Sequence, residues 1–355
     1  MTEIMNRDHR IKAVLSEIAF WYRDNRIELP WREDPTPYHV WISEIMLQQT
    51  RIEAAREYYI RFIDALPTVR DLATVDDDKL MKLWQGLGYY SRARNLKKAA
   101  VTVMERYGGE LPDTAEALLT LPGIGEYTAG AIASIAFGKS EPAVDGNVLR
   151  VLSRILASYD DIMLPRVKKE MTALLRAAYP DGEMASLVTE GLMELGEQVC
   201  IPNGTPRCAV CPVRDYCLAS EKGITEELPV RNVKKEKRNE EKTVLLIRSE
   251  SGRYAIRKRP SAGLLADMWE FVTCDGSLSS AEIENYLAEH SIQAAEILPS
   301  AASRHIFTHV IWNMKGYTVS VRGESPAFVW KTAEEIVSSV AIPTAFKAYL
   351  KLLKE

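Results

Sequence analysis

From residue 8 to about residue 220, apolar positions recur at intervals of three and four. The stretch "RIKAVLSEIAFWYRDN" shows the pattern first, and "PYHVWISEIMLQQTRIEAAREYYIRFIDAL" sustains it between Pro37 and Pro67. The same spacing predicts further helices near 76–84, 91–107, 114–120, 127–137, 147–157, 166–178 and 184–198. No alternating run interrupts them. Residues 231–242, "RNVKKEKRNEEK", are charged and without period, which predicts a solvated linker. Beyond it, "TVLLIRS", "RYAIRKR", "MWEFVTC", "HVIWNMKGYTVSV" and "AFVWK" read as strands, with helical patterns near 280–290 and 343–353. The expected organisation is a mainly helical domain over 1–220, an interdomain linker over 221–242, and a smaller α+β domain over 243–355.

Composition narrows the function without naming it. A chain of 355 residues, 46% hydrophobic, is long enough for two cores. The net charge of −4 gives no global pull toward nucleic acid, so any such site must be a local patch. No apolar run reaches the roughly 18 residues of a membrane span. The opening "MTEIMNRDHRIK" lacks the apolar core of a secretory signal. These features predict a soluble intracellular protein with no membrane partner.

Chemistry concentrates in a few stretches. "LPGIGEYTAG" sets Gly123 and Gly125 directly before a helical pattern. Bare backbone there exposes N–H groups to an anion such as a DNA phosphate, although an ordinary helix–helix turn has the same look. No strand precedes it and GxGxxG is absent, so it is not a dinucleotide loop. In "PAVDGNVLRVLSRI", Asp145 is placed to cap a helix, where a carboxylate stays ionised readily and suits a developing cation. Capping alone would also explain it. Glu44 lies among Trp41, Ile42, Ile45, Met46 and Leu47, and in an apolar wall it would hold a proton near neutral pH. Facing solvent, it would be an ordinary helix glutamate. "LQQT" (Leu47, Gln48, Gln49, Thr50) offers groups that pair with base edges. "GLGYYSRARNL" offers aromatics and cations for stacking and backbone contact, or simply for packing.

Five cysteines occur, four of them in the run Cys200-x7-Cys208-x2-Cys211-x5-Cys217. Thiolates so clustered bind metal, as a tetrahedral zinc or as a [4Fe–4S] cluster. Cys274, in "FVTC", reads as a buried core thiol.

Taken together, "LPWR", "WISEIMLQQTR", "GLGYYSRARNL", "LPGIGEYTAGAIASIAFG" and "AVDGNVLRVLSR" resemble the successive landmarks of the MutY adenine DNA glycosylases, in order and across essentially the whole chain. The resemblance implies an endonuclease III-like helix-hairpin-helix domain followed by a MutT/Nudix-like domain. It implies a six-helix barrel over about 30–140 and an iron–sulfur half made of the N-terminal helix and about 141–220, with Cys200, Cys208, Cys211 and Cys217 holding a [4Fe–4S] cluster. It further implies Glu44 as general acid and Asp145 as the carboxylate that stabilises an oxocarbenium-like sugar, with Tyr127 and Asn147 positioning them. Trp31, Arg32, Leu47 and Glu190 match positions lining the adenine pocket, with Gln48 and Thr50 beside them. Gln49 and Tyr89 match residues that wedge into the duplex, and Gly123 and Gly125 match phosphate binders. Bifunctional relatives carry a lysine where this chain has Tyr127, so a monofunctional glycosylase is implied, leaving an abasic site.

The second domain resembles one that inspects 8-oxoguanine opposite adenine, with His305, Phe307, Thr308 and His309 in the reading loop. A working Nudix box has the form G-x5-E-x7-R-E-x2-E-E. Here Glu270 falls one residue late after Gly263 and the second half is missing, which implies binding without pyrophosphatase chemistry. The implied partner is duplex DNA bearing an adenine:8-oxoguanine or adenine:guanine mispair, bound by a monomer without a nucleotide cofactor. Two departures stand out. The first cysteine gap is one residue longer than the family's usual spacing, and Thr308 stands where many bacterial members have serine. The competing readings are a glycosylase for mismatched or damaged pyrimidines, a non-catalytic lesion-binding scaffold, and a nucleotide pyrophosphohydrolase.

Overall fold

The computed structural model describes residues 6–232 and 236–353. It divides into two compact units, Met1–Thr74 with Arg94–Val233, and Val75–Ala93 with Lys234–Glu355.

Among its described residues the first unit is helical throughout. The N-terminal helix Arg7–Asn25 buries Ile11, Val14, Leu15 and Ile18 in one core with helices Gly146–Ile155, Pro165–Arg176 and Glu183–Glu194. It runs so close to Glu183–Glu194 that a Cβ at Gly191 would meet Ile18 Cγ2 at 2.7 Å. The long run between Pro37 and Pro67 is not one helix. Thr36 caps Pro37–Leu47, and a second helix, Ile52–Ala65, begins after a break at which Gln49 takes φ 59°. Periodicity passes over such a break because each segment on its own keeps apolar residues at helical spacing.

The second unit carries a six-stranded mixed sheet: β1 (Arg238–Ser249), β2 (Tyr254–Lys258), β3 (Trp269–Asp275), β4 (Ala294–Ile306), β5 (Val310–Val321) and β6 (Val329–Lys331). The spatial order is β4-β5-β1-β3-β2-β6, with β1 and β5 parallel and the other neighbours antiparallel. Val244 and Leu246 of β1 face the helices Ala333–Ser339 and Lys347–Leu352. Leu245 and Ile247 face Ser280–Glu289 on the other side. Helices on both faces explain why "TVLLI" reads as a continuous apolar run.

Three expectations need correction. The charged stretch 231–242 is not wholly linker, since Arg238–Lys242 open β1 and pair with Val310–Met314 of β5. Ladder hydrogen bonds need no apolar side chains, and Lys242 instead pairs with Glu240 at 3.0 Å. Residues 233–235 of that stretch lie outside the described residues. Strand β4 gave no strand signal, because it is an edge strand with most side chains exposed or half-exposed and an irregular register. Residues 75–93, expected in the helical domain, belong to the second unit. There Lys82 Nζ donates to the carbonyls of Val337 (2.8 Å) and Val340 (3.2 Å), Gln85 Nε2 donates to Ile342 O (2.8 Å), and Trp269 Nε1 donates to Asp78 Oδ1 (3.1 Å).

Candidate active site

Helix Pro37–Leu47 is buried on nearly every side, and Glu44 is buried with it, 5% exposed. Its carboxyl faces a cavity of about 400 Å³ within the first unit. Trp31, Arg32, Leu47, Thr50, Tyr127, Asp145, Asn147 and Glu190 line the same cavity. Burial pushes Glu44 up to about 7, Glu190 and Asp145 add to the shift, and Tyr127 and Arg32 oppose it. Its Oε2 is enclosed without a hydrogen-bond partner. A carboxyl near neutrality with one oxygen uncommitted can give a proton to a base entering the cavity.

Asp145 caps helix Gly146–Ile155. Its Oδ1 accepts from the amides of Asn147 (2.9 Å) and Val148 (2.8 Å), and Oδ2 accepts from Asn147 Nδ2 (3.0 Å). Asn147 is held in turn by Arg150 Nη2 at 3.0 Å. The cap was expected to keep Asp145 ionised easily. Burial instead outweighs those bonds and raises its pKa, while the cap aims its carboxyl. The Tyr127 hydroxyl lies among Glu44, Asp145 and Met193 Sδ, the last at 3.6 Å, and its pKa is raised well above the usual value by burial first. It is a neutral phenol.

Arg32 is the sole cation lining the cavity among the described residues. Its Nε sits 3.2 Å from Glu190 Oε1 without an aligned N–H, and its Nη1 donates to Glu194 Oε2 at 2.6 Å. Glu194 and Glu197 were missed in the sequence. The signal was there: Glu190, Glu194 and Glu197 stand at i, i+4 and i+7, one face of a helix.

Other predicted residues lie elsewhere. Gln48 is not among the residues that line the cavity and donates to Thr128 Oγ1 at 3.3 Å. Gln49 and Tyr89, both expected as wedges, are exposed and left-handed, at φ 59° and φ 48°. Strain of that kind is stored at functional positions. The hairpin is tighter than expected, since "TAEALLTL" supplies only the helix Ala115–Leu118. Gly123 has φ 80° and a Cβ there would meet Asn95 Cβ at 2.6 Å. Gly125 caps Glu126–Ala131 with no side chain, so it leaves first-turn N–H groups uncovered.

In the second unit, the β4–β5 turn presents Thr308 and His309 to solvent. Phe307 packs edge-on against His305 (4.5 Å) and Trp312 (5.0 Å). Tyr89, also of this unit, makes a 2.7 Å hydrogen bond between its hydroxyl and Thr308 Oγ1. Glu270 is buried and occupied by Arg257 (2.9 Å) and Arg259 (2.6 Å), as an internal ion pair. Cys274 is half-buried rather than fully so, with burial pushing its thiol up to about 11.

Cys200, Cys208, Cys211 and Cys217 border one small cavity and form no disulfide. Burial, with the neighbouring thiols adding, pushes Cys211 up to about 12, a cost that a bound cation would remove. Arg154 Nη1 donates to Cys200 Sγ at 3.2 Å. The donor set therefore fits a thiolate-bound group. The longer first gap still brings Cys200 to the same cavity as the other three. Among the described residues no helix is long and apolar enough to cross a membrane.

Comparisons with known proteins agree with this geometry. The profile of the HhH-GPD superfamily of base excision DNA repair proteins matches residues 42–177, and that of the NUDIX domain matches 243–352. The adenine DNA glycosylase of Homo sapiens is 30% identical, over 96% of this chain and 74% of its own length. That of Schizosaccharomyces pombe is 31% identical, over 83% of this chain and 78% of its own. Among solved structures, a thermostable thymine-DNA glycosylase superposes with TM-score 0.54 at 29% identity, over 60% of this chain and 97% of that one. A non-covalent endonuclease III–DNA complex does so with TM-score 0.52 at 27% identity, over 62% and 99%. A helix-hairpin-helix repair domain, a Nudix-like domain behind it and relatives matched along nearly the whole chain lead to one conclusion: the chain belongs to the adenine DNA glycosylase family.

Proposed function

We propose that the protein is a cytoplasmic, monofunctional adenine DNA glycosylase acting on adenine mispaired with 8-oxoguanine or guanine, as a monomer on duplex DNA. The carrying observation is the buried Glu44 with an uncommitted oxygen, sharing one cavity with the capped Asp145. Adenine stacked in a duplex is out of reach, so it must be flipped into the cavity. Glu44 donates its proton to N7, and the C1′–N9 bond breaks with its electron pair leaving on adenine. Asp145 stabilises the cationic sugar, water adds at C1′, and its proton returns to Glu44. Tyr127 and Asn147 position these groups, while Trp31, Arg32, Leu47, Thr50 and Glu190 surround the base. A tyrosine at 127 cannot form a Schiff base, so the strand is left intact at an abasic site.

Gln49 and Tyr89 would enter the duplex, and Gly123 and Gly125 would hold phosphate with bare amides. His305, Phe307, Thr308 and His309 would read the base opposite adenine. Cys200, Cys208, Cys211 and Cys217 would hold a [4Fe–4S] cluster, which would fix the loop they share. Glu270, consumed by two arginines, supports a binding domain rather than a hydrolase. The second domain also favours this reading over a pyrimidine glycosylase, because the thymine-DNA glycosylase structure spans only 60% of this chain. The test is single-turnover base release from duplexes with adenine opposite 8-oxoguanine, guanine or thymine, scored with and without alkali. The expected result is release opposite 8-oxoguanine and guanine, with breaks visible only after alkali. No release from any duplex, with DNA still bound, would leave the lesion-binding scaffold.

A further inference from the structure

The cavity holds more acid than the proposed chemistry uses. Among the described residues, Glu44, Asp145, Glu190, Glu194 and Glu197 line it against a single guanidinium, Arg32. Both oxygens of Glu194 are committed. It is 4% exposed, and it accepts from Arg32 Nη1 at 2.6 Å, from the Ile27 amide at 3.0 Å and from Gln198 Nε2 at 2.7 Å. Arg32 Nη1 also donates to Ile27 O at 3.0 Å, so Ile27, Glu194 and Arg32 close a ring of hydrogen bonds. The guanidinium lies 5.2 Å over the Tyr22 ring, which fixes its remaining face.

We propose that Glu194 is a positioning residue that locks Arg32 in place and offsets its charge, so that Glu44 retains the proton it delivers to the base. This rests on the reading of Glu44 as general acid. The groups that act on Glu44 are Tyr127, Glu190, Asp145 and Arg32, and of these the arginine is the cation that draws the proton off. Glu190 is poorly suited to cancel that charge. It meets Arg32 at 3.2 Å without alignment, and burial raises its own pKa, so it loses its charge more readily than a free carboxylate. Glu194 meets Arg32 in line and has a second oxygen anchored by backbone and side-chain donors. A buried cation with an aligned, fully bonded partner adds little field at a neighbour, whereas a bare one adds much.

The test is the pH profile of single-turnover adenine release by the full-length protein. The wild type is expected to lose rate through an alkaline limb near the Glu44 value of about 7. Glu194→Gln keeps the acceptor oxygen and removes the charge. It should move that limb down by roughly one pH unit, with about a tenfold loss of rate above it. Glu194→Asp keeps the charge and should leave the limb in place. Gln198→Lys sets an ammonium against Glu194 and should move the limb down as Glu194→Gln does, which keeps the test available should Glu194→Gln not fold. An unmoved limb in Glu194→Gln or Gln198→Lys overturns the proposal, as does an equal shift in Glu194→Asp. A wild type with no alkaline limb would instead overturn the assignment of Glu44 itself.

Discussion

Replacing Glu44 with glutamine separates the demands of catalysis from those of folding. Glu44 has its pKa raised from 4.5 to about 7, with burial as the leading cause. The folded protein therefore holds a proton between those values that the unfolded chain has released. Stability consequently falls as pH rises from the unfolded value toward the folded one, and the loss is complete above the latter. A shift of about 2.5 units at roughly 1.4 kcal/mol each amounts to about 3 kcal/mol. Glu44→Gln removes the charge and keeps the shape, so it should match the wild type near pH 4 and be more stable by about 3 kcal/mol at pH 8. The same change should lower adenine release by roughly 10²–10⁴-fold, the range that a positioned general acid contributes. Denaturant unfolding across pH 4–8, followed by tryptophan fluorescence, checks the first part, and single-turnover release checks the second. A stability difference that does not vary with pH, or a destabilised variant at pH 8, would refute the claim that Glu44 is a desolvated acid.

Tyr127→Lys should introduce an amine beside Asp145, and borohydride should then trap a covalent protein–DNA adduct that the wild type never gives. Thr308→Ala breaks the 2.7 Å contact with the Tyr89 hydroxyl and removes the hydroxyl from the turn. The ratio of rates on 8-oxoguanine and guanine partners should fall several-fold, while release opposite guanine stays within about twofold, since a neutral hydrogen bond contributes on the order of 1 kcal/mol. Lys82→Ala removes the donor to Val337 and Val340. Amide exchange over 77–90 should accelerate markedly in this variant, while exchange in Gly146–Ile155 stays as in the wild type.

The candidate site residues in "WISEIMLQQT" and "PAVDGNVLRV" were legible because helical and capping patterns are local. Which face Glu44 would occupy was not, because a glutamate among apolar neighbours on a helix can point either way. Only the packing of Pro37–Leu47 against the rest of the first unit turned it inward and raised its pKa. The sequence likewise placed Asp145 as a cap, but the balance between its capping bonds and its burial depends on atoms from distant segments. Glu194 and Glu197 stood in plain sight at helical spacing from Glu190, without meaning until the fold set Arg32 against Glu194, 162 residues away in the chain. Strand β4 and the charged start of β1 were invisible for a related reason. Sheet pairing is made by backbone groups that every residue carries, and at an edge few side chains need be apolar. By itself, then, the sequence determined the helices, the apolar strands, the cysteine set and the family resemblance, all of them written in short-range order. Tertiary structure alone decided that residues 75–93 join the second unit and that, among the described residues, one cavity gathers five carboxyls around a single arginine. Both depend on contacts between segments that no local pattern connects.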